Sequence, residues 1–128
     1  MKYLAGEEIL VIHSEIIDVT GGLHGIRDAG LFTSIVKKPK AAFGGQELYR
    51  GVFKKAAVCL ESFVRYHVFL DGNKRTGFAA AVRFLFLNGF EFAAANKEVE
   101  NFVLKIAVKK LDLNEIAAWL KKHSKRGR

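Results

Sequence analysis

The sequence predicts an all-α fold, a compact bundle of about six helices with a flap loop or small hairpin. Three observations predict it. Apolar residues recur at intervals of three and four along most of the chain. Those runs open on a capping residue or close on a glycine, asparagine or proline. Finally, 128 residues, 50% of them hydrophobic and 27% charged, suit one core and carry too much apolar surface for disorder.

From Glu7 onward, Ile9, Ile12, Ile16 and Val19 share one face of a first helix, which the pair Gly21-Gly22 stops near Thr20. Asp28 is placed to cap a short second helix bearing Leu31, Ile35 and Val36, which must end before Pro39. The segment Pro39 to Gln46 contains Gly44-Gly45 and little periodicity, so it reads as a mobile loop or small hairpin. A third helix is predicted from about Glu47 to Tyr66, with Val52, Ala56, Cys59, Leu60, Phe63 and Val64 on one face and His67 at its C-terminal end.

Asn73 can cap a fourth helix that runs through Leu87 and stops at Asn88-Gly89. Its nearly all-round apolar character marks it as the central element. Phe90 to Ala94 stays open between strand and loop. Asn96 is placed to cap a helix with Val99, Phe102, Val103 and Ile106, and Asp112 or Asn114 to open a last one with Ile116, Trp119 and Leu120. No linker or internal repeat divides the chain, so residues 1–128 read as one domain.

Composition narrows the function classes. The net charge is +8, yet Lys121, Lys122, Lys125, Arg126 and Arg128 supply more than half of it without an intervening acid. The stretch 121–128 therefore reads as a basic solvated tail more readily than as a nucleic-acid arm. The longest apolar window, Gly77 to Phe92, carries Arg83 and falls short of the roughly 20 residues that cross a bilayer. Glu7 and Glu8 come before any hydrophobic stretch, so a secretory signal is not expected and the predicted setting is cytoplasmic, without membrane partners. The single cysteine, Cys59, lies among Ala57, Val58 and Leu60 and reads as an inert buried thiol.

The chemistry concentrates in His67-Val68-Phe69-Leu70-Asp71-Gly72-Asn73-Lys74-Arg75-Thr76-Gly77. Here an imidazole, a carboxylate, a glycine turn, a helix N-terminus and two cations follow one another, as in a triphosphate site. Unpaired N–H groups after Asn73 and the helix dipole favour a phosphate oxygen. Gly72 removes a side chain where backbone would approach the ligand. Lys74 and Arg75 offer a mobile and a forked donor, and a lone carboxylate such as Asp71 suits Mg²⁺ that takes its other ligands from phosphate and water. His67 is the candidate general base, and Phe69 the apolar anchor beneath the loop. Taken residue by residue, the same segment also reads as a plain connection, with Asp71-Gly72 a turn, Asn73 a cap and Lys74-Arg75 a solvated face.

Taken together these residues resemble, in register, the signature of the Fic/Doc family. Its Fic branch reads H-x-F-x-[DE]-G-N-G-R-x-x-R and its Doc branch H-x-F-x-[DN]-[AG]-N-K-R-T. Tyr3-Leu4, Glu8-Ile9-Leu10, Ile12-His13, Gly21-Gly22, Gly25 through Leu31 and Lys38-Pro39 extend the likeness to death-on-curing toxins, over about Tyr3 to Phe92. Beyond Asn96 only helical character matches.

The resemblance implies a small Fic-like helical fold and the toxin of a bacterial toxin–antitoxin module. In it His67 would deprotonate a hydroxyl of a target protein, Asp71 would hold Mg²⁺, and Gly72, Asn73, Lys74 and Arg75 would bind the phosphates of ATP. The loop from Pro39 to Gln46, with Gly44 and Gly45, would be the flap that aligns the target. Arg27 and Asp28 match a family motif as site support, read here as a cap and a salt bridge before any direct role, and His13 is read as structural.

Two departures from the Fic branch bear on the reaction: Lys74 replaces its glycine and Phe78 its second arginine. These favour the Doc branch, in which the γ-phosphoryl group of ATP passes to elongation factor Tu. AMP transfer by a Fic-type enzyme is the first alternative, and a noncatalytic antitoxin-binding or DNA-complex component the second. The inhibitory pattern [ST]-x-x-x-E-[GN] of many relatives has no match from Ser14, Thr20, Thr33, Ser34, Ser62, Thr76 or Ser124. Inhibition is therefore expected from a separate antitoxin of the Phd type, through which alone DNA would be engaged.

Overall fold

The structure is a computed structural model that describes residues 1–109 and 111–127. The order of elements is α1 (Gly6–Thr20), α2 (Ala29–Lys37), a 3-10 turn (Lys38–Lys40), β1 (Ala42–Phe43), β2 (Gln46–Glu47), α3 (Val52–Tyr66), α4 (Asn73–Leu87), β3 (Phe90–Phe92), α5 (Asn96–Val108), α6 (Leu113–Lys122) and β4 (Ser124–Arg126). The helical prediction holds, and the segment after Pro39 is the small hairpin, with Ala42 opposite Glu47 and Phe43 opposite Gln46.

Helices α3 and α4 form the centre. Ala56, Ala57, Leu60 and Phe63 of α3 and Ala80, Ala81 and Leu85 of α4 are buried, with α1 and α2 covering one side through Ile9, Phe32 and Ile35. Ile106 of α5 and Ile116 and Leu120 of α6 close the other. The two central helices cross closely because Gly77 has no side chain. A Cβ there would lie 2.9 Å from Phe63 Cβ and 3.2 Å from the Leu60 carbonyl oxygen. That crossing fixes the N-terminus of α4 against the C-terminal half of α3, which is where the candidate site lies. Among the described residues no helix is long and apolar enough to cross a membrane.

Several boundaries differ from the sequence reading. Helix α3 starts at Val52, not Glu47, because Gly51 takes a positive φ of 85° and Glu47 is held in the hairpin. Glu47 instead faces the wholly buried Lys55, whose Nζ lies 3.3 Å from its carboxylate and also donates to the Tyr49 carbonyl. Asn73 is the first residue of α4 and not its cap, a position taken by Gly72; Ala95 likewise precedes α5, where Asn96 had been expected to cap. Asp28 and Asp112 do cap, accepting from Leu31 N at 2.9 Å and Glu115 N at 2.8 Å.

The ambiguous stretch after Gly89 is strand β3. It pairs antiparallel with β4, Phe90 opposite Arg126 and Phe92 opposite Ser124. The basic tail is thus tied to the body through its backbone while Lys125 and Arg126 keep exposed side chains. Lys121 and Lys122 end α6, and Arg128 lies outside the described residues.

Candidate active site

Helix α3 ends at Tyr66, and the chain turns out of it through His67. This residue has φ 48° and ψ 54°, the one non-glycine with positive φ among the described residues. The left-handed region costs an L-residue about 1–2 kcal/mol unless its surroundings hold it there. Arg27 does the holding. Its Nε donates to the His67 carbonyl at 2.6 Å and its Nη2 to the Tyr66 carbonyl at 3.0 Å. A guanidinium at a helix C-terminus also meets the negative end of the helix dipole.

Backbone pairing continues the clamp, with Arg27 N donating to the Val68 carbonyl at 2.7 Å and Leu70 N to the Gly25 carbonyl at 3.1 Å. Among the described residues Arg27 forms no ion pair, so the salt bridge expected of it is replaced by these carbonyl contacts. Asp28 does cap α2, as read from the sequence, and does not line the cleft described below.

Beneath the loop Phe69 is 1% exposed, as its anchoring role requires. It stacks on His13 at 3.7 Å between ring centroids and lies 5.9 Å from Phe63. His13 is buried, and its Nε2 lies 2.8 Å from the Asp71 carbonyl oxygen. A carbonyl only accepts, so Nε2 carries the proton. The structural reading of His13 holds, and its structural task is to fix the backbone of Asp71.

Asn73 turns its side chain inward. Oδ1 accepts from Phe69 N at 2.9 Å and Nδ2 donates to the Phe69 carbonyl at 3.0 Å. Its amide group therefore braces the loop, and only its backbone N–H is left for an anion. Gly72 is required by the packing around the loop. Its φ is 78°, and a Cβ would sit 2.9 Å from Ile17 Cδ1 and 3.7 Å from the His13 ring. The crowding comes from α1.

His67, Asp71, Gly72, Asn73, Lys74 and Arg75 come together around one open cleft of about 410 Å³. The sequence reading missed its opposite wall, made by Thr20, Gly21 and Gly22, with Leu70 beside them. Leu23 N donates to Asp71 Oδ2 at 2.7 Å, and a Cβ on Gly22 would meet Asp71 Cβ at 3.1 Å. The signal for this wall was present in Gly21-Gly22, which explained itself fully as a helix stop. Gly44 and Gly45 do not line the cleft.

The electrostatics are simple. Lys74 and Arg75 are exposed and, among the described residues, without an acidic partner, at the N-terminus of a helix whose first amides have no intrahelical acceptor. Asp71 brings the cleft its one carboxylate, and one of its two oxygens is committed to Leu23 N. Among the described residues no group of three or more metal-binding side chains occurs. A cation here would take most of its ligands from phosphate and water, the habit of Mg²⁺. Burial pushes the Cys59 thiol up to about 12, away from the thiolate that nucleophilic or metal chemistry needs.

Comparison with known proteins adds independent findings. A model described as the Fic/DOC family matches residues 3–85. Toxin Doc of Mycolicibacterium smegmatis is 38% identical over 121 residues, covering 93% of this chain and 91% of that protein. Protein kinase doc of Escherichia phage P1 is 28% identical over 122 residues, covering 95% of each. Likeness to these relatives thus runs beyond Asn96, where the sequence motifs alone showed helical character only.

Proposed function

The chain belongs to the Fic/DOC family, and from that premise we propose that it is the toxin of a toxin–antitoxin module. It acts by transferring the γ-phosphoryl group of ATP, with Mg²⁺, to a hydroxyl of elongation factor Tu in the cytoplasm, which halts protein synthesis. An antitoxin of the Phd type restrains it. The observation that carries the reading is the single cleft that joins an imidazole, one carboxylate, a helix N-terminus and two cations that have no acidic partner among the described residues. The names of its relatives, one a toxin and one a protein kinase, agree with it.

Each residue then has a defined task. The His67 imidazole takes the proton of the attacking hydroxyl, and the hydroxyl oxygen forms a bond to the γ-phosphorus as the bond from that phosphorus to the β,γ-bridging oxygen breaks. ADP leaves with the bond's electron pair, and the proton passes from His67 to water. The amides that open α4, with Lys74 and Arg75, hold the phosphates and offset charge on the equatorial oxygens. Asp71 would hold Mg²⁺, which would supply neutralisation of phosphate charge. Such a transfer asks the protein mainly for positioning and charge, which a short, braced loop can supply.

Labelled nucleotide tests the reaction. With [γ-³²P]ATP and Mg²⁺, label is expected on elongation factor Tu, and with [α-³²P]ATP it is not. Label from the α-position would instead make the protein an AMP transferase and overturn the weight given to Lys74 and Phe78. A His67→Ala chain that still arrests growth would support the noncatalytic alternative.

A further inference from the structure

His67 lines a second cavity as well as the cleft. This cavity, about 310 Å³ in volume, opens between the C-terminal ends of α3 and α5. Val64, Ile106 and Val108 make its apolar walls, and Arg65 and Lys109 supply its cations. Arg65 builds the wall and is used up in doing so. Its Nη1 lies 2.8 Å from the Glu61 carboxylate, and its other nitrogens donate to the carbonyls of Ile106 at 3.3 Å, Lys109 at 3.4 Å and Leu111 at 2.9 Å. Lys109 is exposed and, among the described residues, has no acidic partner. Val108 is 70% exposed, an apolar side chain left without cover at the rim.

We propose that this cavity is a subsite for the target protein, taking the residues next to the acceptor hydroxyl, with an apolar side chain against Ile106 and Val108 and a carboxylate at Lys109. The inference rests on the reading of the cleft as a phosphoryl-transfer site and places that site's second substrate. Attacking and leaving oxygens stand roughly in line across the transferred phosphorus. With the phosphates held at Lys74 and Arg75, the hydroxyl approaches from the far side and must still reach the His67 imidazole. His67 is the one residue common to both cavities, so a segment seated in the second delivers its hydroxyl to the base without crossing the nucleotide. Charge sets the occupant's chemistry. One cation without an acid partner, beside apolar walls, suits a peptide that carries one acid next to an apolar residue, whereas phosphates are better served by the paired cations and helix N-terminus of the cleft. Among the described residues no acid lines the cavity to repel that carboxylate.

The test follows transfer from [γ-³²P]ATP to elongation factor Tu by the full chain with Mg²⁺, reading KM for the target apart from calorimetric ATP affinity. Lys109→Glu reverses the charge, Val108→Asn removes exposed apolar surface, and Lys97→Glu makes the same charge change at the other end of α5 as a control. The first two should raise KM for the target roughly five- to tenfold, the scale of one lost contact, with kcat and ATP affinity near wild type. Lys97→Glu should change none of these. The Lys109 effect should shrink as salt rises, and the Val108 effect should persist. An unchanged KM in both variants, or an equal shift with Lys97→Glu, would overturn the subsite while leaving the cleft in place. Weaker ATP binding would assign the cavity to the nucleotide, and a lower kcat at unchanged KM would reduce its wall to a support for His67; either overturns the proposal. Loss of grip on a co-purified antitoxin, with KM for the target intact, would assign the cavity to that partner and overturn it too. If the wild-type chain labels no elongation factor Tu, the kinase reading fails first and the subsite falls with it.

Discussion

Two connections in this molecule are built on glycine turns and behave in opposite ways. The loop from His67 to Gly72 is tied to residues far away in sequence. Arg27 holds its first carbonyl, Gly25 pairs with Leu70, Leu23 and His13 bind Asp71, and Asn73 closes it from behind. The strands of the hairpin Ala42–Glu47 pair with each other, Glu47 meets Lys55 at its base, a Cβ on Gly44 or Gly45 would meet nothing within 4 Å, and Phe43 is 82% exposed. Local composition marks both as turns. What separates the loop at the cleft from the hairpin is how far distant residues complete it.

The largest effect should follow from changing the one residue the loop exists to present. His67→Ala should lower transfer about 10²–10⁴-fold, with a Tm close to wild type, because His67 is exposed. A variant with near-normal rate would break the link between the braced loop and proton transfer.

The next effect compares glycines. Gly72→Ala combines a positive φ with a clash against Ile17 and should cost about 2–3 kcal/mol in urea unfolding. Gly44→Ala has the strained φ alone and should cost about 1 kcal/mol or less, confined to the hairpin. Equal costs would erase the contrast between the two turns.

Between these lies Arg27→Ala, which leaves two carbonyls at the end of α3 without their donor. About 1–2 kcal/mol of stability should be lost, together with a fall in kcat that exceeds any change in KM for ATP. Arg27→Lys should restore stability better than rate, since one ammonium cannot serve both carbonyls in the guanidinium's fixed geometry.

The contrast also explains what was legible in the sequence. The helices were, because their apolar spacing is local: Leu60 and Phe63 of α3 are buried as their periodicity implied. In α1 the extent was legible but not the whole face, since the buried residues are Ile9, His13 and Ile17, with Ile12 and Ile16 half-buried and Val19 86% exposed. The identities of His67, Asp71, Lys74 and Arg75 were legible as well, since they fall in one short segment. The brace was not. The contact of His13 with Asp71 spans 58 positions and that of Leu23 spans 48, and neither leaves a periodic trace. Asn73 and Asn96 looked like caps because asparagine favours that place, yet Asn73 spends its amide on Phe69 and both stand one residue inside their helices. The tail looked solvated from its charge, and its pairing with β3 depends on backbone groups that composition does not show.

The central structural claim is that the site is set before any ligand arrives. Native-state amide hydrogen exchange tests it most directly, because the N–H groups of Phe69 and Leu70 donate to Asn73 and Gly25 while those of Gly44 and Gly45 sit at the tip of the hairpin. The account predicts that Phe69 and Leu70 exchange only through openings as costly as those of the α3 and α4 core, and that the hairpin exchanges by local fraying. Fast exchange at Phe69 and Leu70 in the free protein, slowed only by nucleotide, would contradict it.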